Sequence, residues 1–210
     1  GQLHVPNFPP DMPALVAQIY NRQTASDVKL TLNSIYPDRH PVRLVHGAGT
    51  AGQVVEDVCL YEIDRSAQIG LLTALYVPPL DSETSLEGFQ EVVAHLRAPD
   101  GCPWDKEQTI QSMAQSLLEE TYEALEAIDQ NDMRGLEEEL GDLILLVTMY
   151  AQMGSEEGLF DMPRVIQGIH RKIVRRHPHV FGTLNVDGTK GVLRNWETIK
   201  AAERQEKGEE

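Results

Sequence analysis

The sequence predicts a mostly helical protein in which a small α/β lobe precedes an all-helical region. Two observations lead to this prediction. Up to about residue 80 the hydrophobic residues occur in short segments separated by turn residues, which is typical of mixed strands and helices. From Ser85 onward they recur with the helical period of about 3.6 residues. The 210 residues are 41% hydrophobic and 24% charged, which is enough to form a buried core.

The first 80 residues predict the small α/β lobe. Ser26 is a suitable N-cap for a helix over 27–35, which Pro37 ends. The glycine-rich segment 47–52 is interpreted as a turn, because it lacks the Lys and Ser that follow in a phosphate-binding P-loop. Strands are expected at four places, 15–20, 42–45, 54–61 and 75–77.

Helices are predicted throughout the rest of the chain. We place the boundary at 81–85, a polar link after the two prolines at 78–79. Residues 1–80 hold 5 basic and 7 acidic side chains, whereas the remaining residues hold 13 and 26, so the acidity belongs to the helices. The predicted helices cover about 86–96, 106–129, 132–153, 162–176 and 192–206.

The overall charge and the cysteines exclude several classes of protein. A formal charge of −15 disfavours nucleic acid or an anionic membrane as the partner, because both would be repelled. No apolar run reaches the roughly 20 residues of a spanning helix, and residues 1–10 lack the features of a signal peptide. Cys59 and Cys102 lie in unrelated contexts, so we expect no disulfide framework, no thiolate metal site and a cytoplasmic location.

Two of the predicted helices each carry a pair of carboxylates at an i, i+3 spacing. On a helical wheel, Glu120 and Glu123 flank the apolar stripe of the first helix, and Glu139 and Asp142 flank that of the second. The short connection predicts antiparallel neighbours, so the four side chains would converge at one seam. The apolar stripe of the first helix, which we expect to pack against the second, consists of Leu117, Thr121, Leu125 and Ile128.

Converging carboxylates repel one another unless a cation lies between them. Oxygen ligands without Cys or His favour Mg²⁺ or Mn²⁺, so the pattern indicates a divalent-metal site. The alternative is a solvated acidic face. Residues 171–179 form the densest cationic run of the chain. This run is either the C-terminal turn of a helix or, beside a metal site, a surface that binds polyphosphate.

Five motifs in order closely resemble the MazG family of nucleoside triphosphate pyrophosphohydrolases, which are all-α enzymes. They are GCPWD at 101–105, QT at 108–109, LEETYE at 118–123, ELGDL at 139–143 and RRHPHVFG at 175–182. The resemblance covers about residues 85–205. It implies hydrolysis of a nucleoside triphosphate to the monophosphate and pyrophosphate with Mg²⁺, for which Mn²⁺ is a substitute. Ile110 departs from the family pattern, which has a histidine at this position.

The resemblance also implies roles for individual residues. Glu119, Glu120 and Glu123 match the catalytic EExxE motif, and Glu119 either orients the attacking water or is an outer residue. Trp196 matches a position that helps to bind nucleotide, although it is equally suited to anchor the last helix. The implied metal ligands are Glu120, Glu123, Glu139 and Asp142. The implied phosphate-binding residues are Lys172, Arg175 and Arg176.

The first lobe resembles the C-terminal lobe of tetrapyrrole methylases, on the segments 36–42, 47–50 and 71–80. We therefore assign 1–80 to a partial lobe of this kind and 81–210 to a MazG-type domain. The lobe that binds S-adenosylmethionine is absent, so methyl transfer is not expected.

Two expectations concern assembly. Amphipathic helices too few for a closed core predict a homodimer or a larger homo-oligomer, as the resemblance also implies. A non-catalytic helical dimerisation platform for a methylase is the alternative function.

Overall fold

The computed structural model describes residues 4–207, apart from the side chains of residues 82, 206 and 207. It divides into two compact units, and the division falls between His95 and Leu96. The mostly helical fold with a small α/β lobe is confirmed. The assignment of residues 1–80 and 81–210 to separate domains stays a prediction.

The first unit contains a four-stranded antiparallel sheet in the order β1-β4-β2-β3. One helix, α1 (Arg22–Leu32), accompanies it. Leu44 and Leu75 are fully buried in the core of this unit, with Ala25 of α1. The strands are β1 (Ala14–Val16), β2 (Pro41–His46), β3 (Val54–Cys59) and β4 (Thr73–Val77).

Several predicted boundaries in this unit are wrong: the helix ends at Leu32 instead of 35, the third strand ends at Cys59 instead of 61, and two other boundaries differ by more. The first strand ends at Val16, because Gln18 has a φ of 63°, which lies outside the extended region. Helix α1 begins before the predicted cap Ser26, and Asn21 caps it by accepting a hydrogen bond from the Thr24 amide at 2.8 Å. Both residues are good caps, so local preference did not distinguish them.

The glycine-rich segment after β2 is a turn, as predicted. It connects β2 to β3, and its residues Gly47 and Gly49 have φ values of 60° and 76°, which favour glycine. The Thr50 hydroxyl donates a hydrogen bond to the Gly47 carbonyl at 2.7 Å. This hydrogen bond stabilises the turn, and the segment forms the hairpin connection between the two strands.

The rest of the described chain is helical. Among the described residues, none of the helices combines the length and the apolar composition that a membrane span requires. The helices are α2 (Leu86–Arg97), which crosses the division between the units, α3 (Pro103–Glu107), α4 (Ala114–Asp129), α5 (Met133–Glu156), α6 (Met162–Arg176), α7 (Pro178–Phe181) and α8 (Gly188–Lys207).

The predicted helix over 106–129 is interrupted. Segment 108–113 separates α3 from α4, and in it Thr109 and Ser112 exchange hydrogen bonds between their side chains and backbone amides at 2.9 and 3.1 Å. Such bonds offer the backbone an alternative to helical hydrogen bonding. The apolar period continues across the break, which is why the pattern suggested one helix.

Helices α4 and α5 pack against each other through small residues. Ala124 and Ala127 are buried on α4, and a Cβ on Gly135 of α5 would lie 3.6 Å from that of Ala127. The expectation that the apolar stripe of α4 packs on α5 is therefore wrong. The side chains of that stripe are exposed: Leu117, Thr121, Leu125 and Ile128.

Gly154 of α5 provides a test of a second close contact, with Phe160 after the end of α5. A methyl group at Gly154 would lie 2.8 Å from two ring carbons of Phe160. Such crowding costs about 1–3 kcal/mol, against about 1 kcal/mol that alanine gains over glycine in a helix. We expect Gly154→Ala to lower the free energy of unfolding by up to about 2 kcal/mol, measured by urea titration of the helical circular dichroism signal.

Gly168 of α6 is the matched control. A methyl group there would meet nothing within 4 Å, so Gly168→Ala should raise the free energy of unfolding by about 0.5–1 kcal/mol. A Gly154→Ala protein as stable as Gly168→Ala would contradict the close contact with Phe160.

Candidate metal centre

Three carboxylates converge where α4 faces α5. Glu120 and Glu123 lie three residues apart on α4, and Glu139 reaches them from α5. One oxygen of each lies within 4.8 Å of the others. Glu120 and Glu139 are half-buried, whereas Glu123 is exposed. Within the described part of the chain, no other three His, Cys, Asp or Glu side chains come together in this way.

The charges of this cluster oppose one another. The pKa of Glu120 is raised, first by burial and then by repulsion from Asp142 and Glu123. The pKa of Glu139 is also raised, again first by burial and then by repulsion from Glu123. A hydrogen bond between Glu120 and Glu139 raises the pKa of Glu139 and lowers that of Glu120. Without a cation, burial and repulsion therefore both disfavour the charged forms of these two side chains.

Asp142, the fourth predicted ligand, lies beside the cluster of three. It is half-buried on α5, one turn after Glu139. It raises the pKa of both Glu120 and Glu139 by repulsion. Its role as a ligand stays a prediction.

Glu119, the remaining predicted catalytic residue, is exposed. Its carboxylate accepts a hydrogen bond at 3.0 Å from the side-chain Nε2 of Gln115, one turn earlier on α4. It also contributes to the raised pKa of Glu120. Glu119 is therefore close enough to the cluster to interact with it electrostatically, although it does not join the group of three.

The donor set fits a hard divalent cation. All converging atoms are carboxylate oxygens, and neither Cys nor His belongs to the group. Space is available beside it, because a Cβ on Gly141 would meet no other atom within 4 Å. A divalent charge would relieve the repulsion that raises both glutamate pKa values.

The predicted phosphate-binding arginines are held by an acidic residue that the sequence did not indicate. Arg175 and Arg176, at the end of α6, each form an ion pair of 2.6 Å with Glu203 of α8. Lys172 is exposed and has no ion pair among the described residues. Glu203 follows Trp196 by seven residues, so both lie on one face of α8. This spacing was the only sequence feature that could have placed Glu203 beside Trp196, but the same spacing is common in charged helices.

Trp196 is half-buried beside the end of α6. Its ring centroid lies 5.7 Å from that of His177. Its indole nitrogen is buried and has no hydrogen-bond partner among the described residues. The ring thus packs within the fold and also carries a free donor, so the geometry is compatible with either predicted role.

Comparison with known proteins assigns this helical region. Residues 108–181 match the model of the MazG nucleotide pyrophosphohydrolase domain. The chain contains a MazG domain. The matched segment includes the three converging glutamates, Asp142 and both arginines, whereas Trp196 and Glu203 lie beyond it.

Three relatives extend the comparison. The nucleoside triphosphate pyrophosphohydrolase of Escherichia coli K12 is 48% identical over 119 residues, 56% of this chain and 45% of that protein. The nucleoside triphosphate pyrophosphohydrolase/pyrophosphatase MazG of Thermotoga maritima is 43% identical over 122 residues, 57% of this chain and 46% of that protein. Uncharacterized protein YabN of Bacillus subtilis is 46% identical over 194 residues, 90% of this chain and 40% of that protein. The chain spans less than half the length of each.

The repulsion within the MazG domain's acidic cluster predicts opposite effects of one substitution on stability and metal binding. In EDTA, Glu139→Gln should melt at a higher temperature than the wild type, because one of the clustered charges is removed. At Mg²⁺ 100-fold above its Kd, the wild type should gain about 2.7 kcal/mol of stability, and Glu139→Gln should gain far less. Differential scanning calorimetry measures both.

The pH dependence provides a second readout. The folded protein holds a proton on the cluster at pH values where the unfolded chain does not, because the pKa values of Glu120 and Glu139 are raised. The metal-free protein should therefore gain stability as the pH falls through these raised values. Glu139→Gln should reduce this gain, and Glu138→Gln, which removes an exposed neighbouring charge, should not. Equal pH profiles for the two variants would contradict the cluster.

Proposed function

We propose that the helical unit hydrolyses nucleoside triphosphates to nucleoside monophosphates and pyrophosphate with a divalent cation, Mg²⁺ or Mn²⁺. The observation that supports this most is the convergence of Glu120, Glu123 and Glu139 within the segment that matches the MazG domain. Relatives named as nucleoside triphosphate pyrophosphohydrolases match 56–57% of the chain at 43–48% identity.

In this proposal Glu120, Glu123, Glu139 and Asp142 hold the cation. When bound, a divalent cation supplies positive charge against the phosphate oxygens and acidifies a nearby water. Because burial and repulsion raise the pKa values of Glu120 and Glu139, binding of the cation should be coupled to proton release at pH values near these raised pKa values.

The reaction transfers the α-phosphoryl group to water. A water oxygen bonds to the α-phosphorus, and the bond from that phosphorus to the α,β-bridging oxygen breaks, which leaves the monophosphate and pyrophosphate. Glu119, an exposed carboxylate at the edge of the cluster, accepts the proton of the attacking water. Lys172, Arg175 and Arg176 offset the phosphate charges, and Trp196 stacks on the base.

We also infer that the chain forms a homodimer or a larger homo-oligomer. Leu118, Tyr122 and Leu125 are exposed on one face of α4, and Leu140, Ile144 and Val147 on one face of α5, each set at i, i+4, i+7 spacing. Helix α6 adds four more exposed aliphatic side chains: Val165, Ile166, Ile169 and Ile173. A second copy that covers these faces would complete a helical bundle.

The first unit has no proposed activity. The match to YabN covers 90% of the chain, so most of this unit has a counterpart in that protein. The resemblance of residues 1–80 to a tetrapyrrole methylase lobe stays a hypothesis. Measurement of S-adenosylmethionine affinity tests whether the chain acts as a methyltransferase, and we expect no affinity.

Variants of the acidic cluster test the reaction. With each nucleoside triphosphate and Mg²⁺, anion-exchange chromatography should detect the monophosphate and pyrophosphate. Glu120→Gln and Asp142→Asn should lower kcat/KM by about 100-fold or more, because they remove metal ligands. Glu119→Gln should lower kcat by about 100-fold or more but keep the stabilisation by Mg²⁺.

Glu126→Gln is the matched control, because Glu126 is exposed on α4 and outside the cluster; its rate should equal that of the wild type. Release of orthophosphate and the diphosphate would contradict the proposed reaction. Absence of both turnover and Mg²⁺-dependent stabilisation would favour the non-catalytic dimerisation platform.

Oligomerisation is tested on the exposed face of α4. Size-exclusion chromatography with light scattering should give at least twice the chain mass of 23.5 kDa. Leu125→Lys should weaken association by about tenfold or more, since a buried charge at an apolar interface costs well over 1.4 kcal/mol. Leu30→Lys, at an exposed leucine on α1, should not. A wild-type monomer at all concentrations would overturn the inference.

A further inference from the structure

Glu203 lies at the junction of two arginine side chains. Its Oε1 accepts hydrogen bonds from Nε of Arg175 at 2.8 Å, and its Oε2 accepts from Nε and Nη2 of Arg176 at 3.2 and 2.6 Å. Both oxygens of the carboxylate are thus used. The side chain of Glu203 is only 11% exposed, although it is acidic and near the end of α8.

The two ion pairs determine the charge of Glu203. Hydrogen bonds from Arg176, and then from Arg175, lower the pKa of Glu203 to about 2 in spite of its burial. The pKa of Arg176 is raised, chiefly by the same bond. All three groups are therefore charged at neutral pH, and their net charge is positive.

The arginines contact Glu203 through the same edge. Each guanidinium uses Nε and Nη2, and in the described residues neither Nη1 has a partner. An arginine held by one edge keeps the N–H groups of its other edge, in a fixed plane, for a second oxyanion. Two such edges, from guanidinium groups held by one carboxylate, suit the oxygens of a polyphosphate.

We propose that Glu203 is a positioning residue for the triphosphate: it orients the guanidinium groups of Arg175 and Arg176 so that their Nη1 edges bind phosphate oxygens. This inference rests on the proposed function, which it deepens, because it assigns to α8 a role in substrate binding. Trp196, two turns earlier on the same face of α8, brings the base-binding side chain to the same helix.

The burial of Glu203 argues against the opposite role, in which it is a stand-in for phosphate that the substrate displaces. Displacement would leave a nearly buried carboxylate without its two partners, which is costly. Arg176 is itself only 20% exposed, so its contact with Glu203 is shielded from water. Positioning keeps both ion pairs intact when the substrate binds.

Steady-state kinetics of Glu203→Gln test the proposal. We expect KM for the triphosphate to rise about tenfold, with kcat changed less than about threefold, because the arginines lose their orientation while the metal centre is untouched. Glu203→Asp, which keeps the charge, should recover part of the loss. Calorimetric titration with Mg²⁺ and a triphosphate that carries a methylene group between its α and β phosphates should show the same weakening.

Glu126→Gln is the matched control, since it removes an exposed carboxylate that has no hydrogen bond to either arginine. Its KM should equal that of the wild type. A lower KM for Glu203→Gln would show that Glu203 competes with phosphate and would overturn the proposal. A fall in kcat and in Mg²⁺-dependent stabilisation as large as the rise in KM would show a purely structural role and would also overturn the proposal.

The experiment separates this inference from the proposed function. If the wild type binds the methylene analogue but releases no pyrophosphate, the proposed reaction fails while the effect of Glu203→Gln on binding still tests positioning. If the wild type hydrolyses triphosphate and Glu203→Gln binds the analogue as well as the wild type does, positioning fails and the reaction stands.

Discussion

The close contact between α4 and α5 is the constraint on which the candidate centre depends. Small residues, Ala124 and Ala127 on one helix and Gly135 on the other, let the two backbones approach. This contact brings Glu120 and Glu139 together across the helices and leaves them partly buried. Burial, and then repulsion, raise the pKa values of both side chains, so their charged forms are disfavoured in the metal-free centre. An arrangement of this kind is typical of a site whose charges serve binding rather than folding.

The helical unit is acidic overall but offers positive charge at two places. An acidic region that binds an anionic triphosphate needs positive charge at the point of contact, and the unit offers it in two forms. The carboxylates of α4 and α5 suit a divalent cation, and the end of α6 presents two arginines. Glu203 neutralises only part of the arginine charge, so a positive group remains on an otherwise acidic surface.

The exposed apolar faces have a consequence for the interpretation of amphipathic patterns. The apolar stripe of α4 recurs at regular helical spacing, yet its side chains are exposed within one chain. Small residues make the intrachain contact in its place. The helical wheel therefore identified the periodicity of α4 correctly but assigned the wrong face to the contact with α5. The proposed homo-oligomer would cover the exposed apolar side chains of α4, α5 and α6.

The sequence by itself determined the helical region, the bounds of α6 at 162–176, and the four acidic residues on α4 and α5, because periodicity and i, i+3 spacing are local properties of a helix. The tertiary structure alone decided that Asn21 rather than Ser26 begins α1, that Thr109 and Ser112 interrupt a continuous apolar period, and which face of α4 meets α5. It also decided that Glu203 meets Arg175 and Arg176. The physical reason for the first is that Asn and Ser have nearly equal preferences for the N-cap position. The partner of a helical face, in turn, depends on residues distant in the chain, and the spacing of residues along one helix carries no information about them.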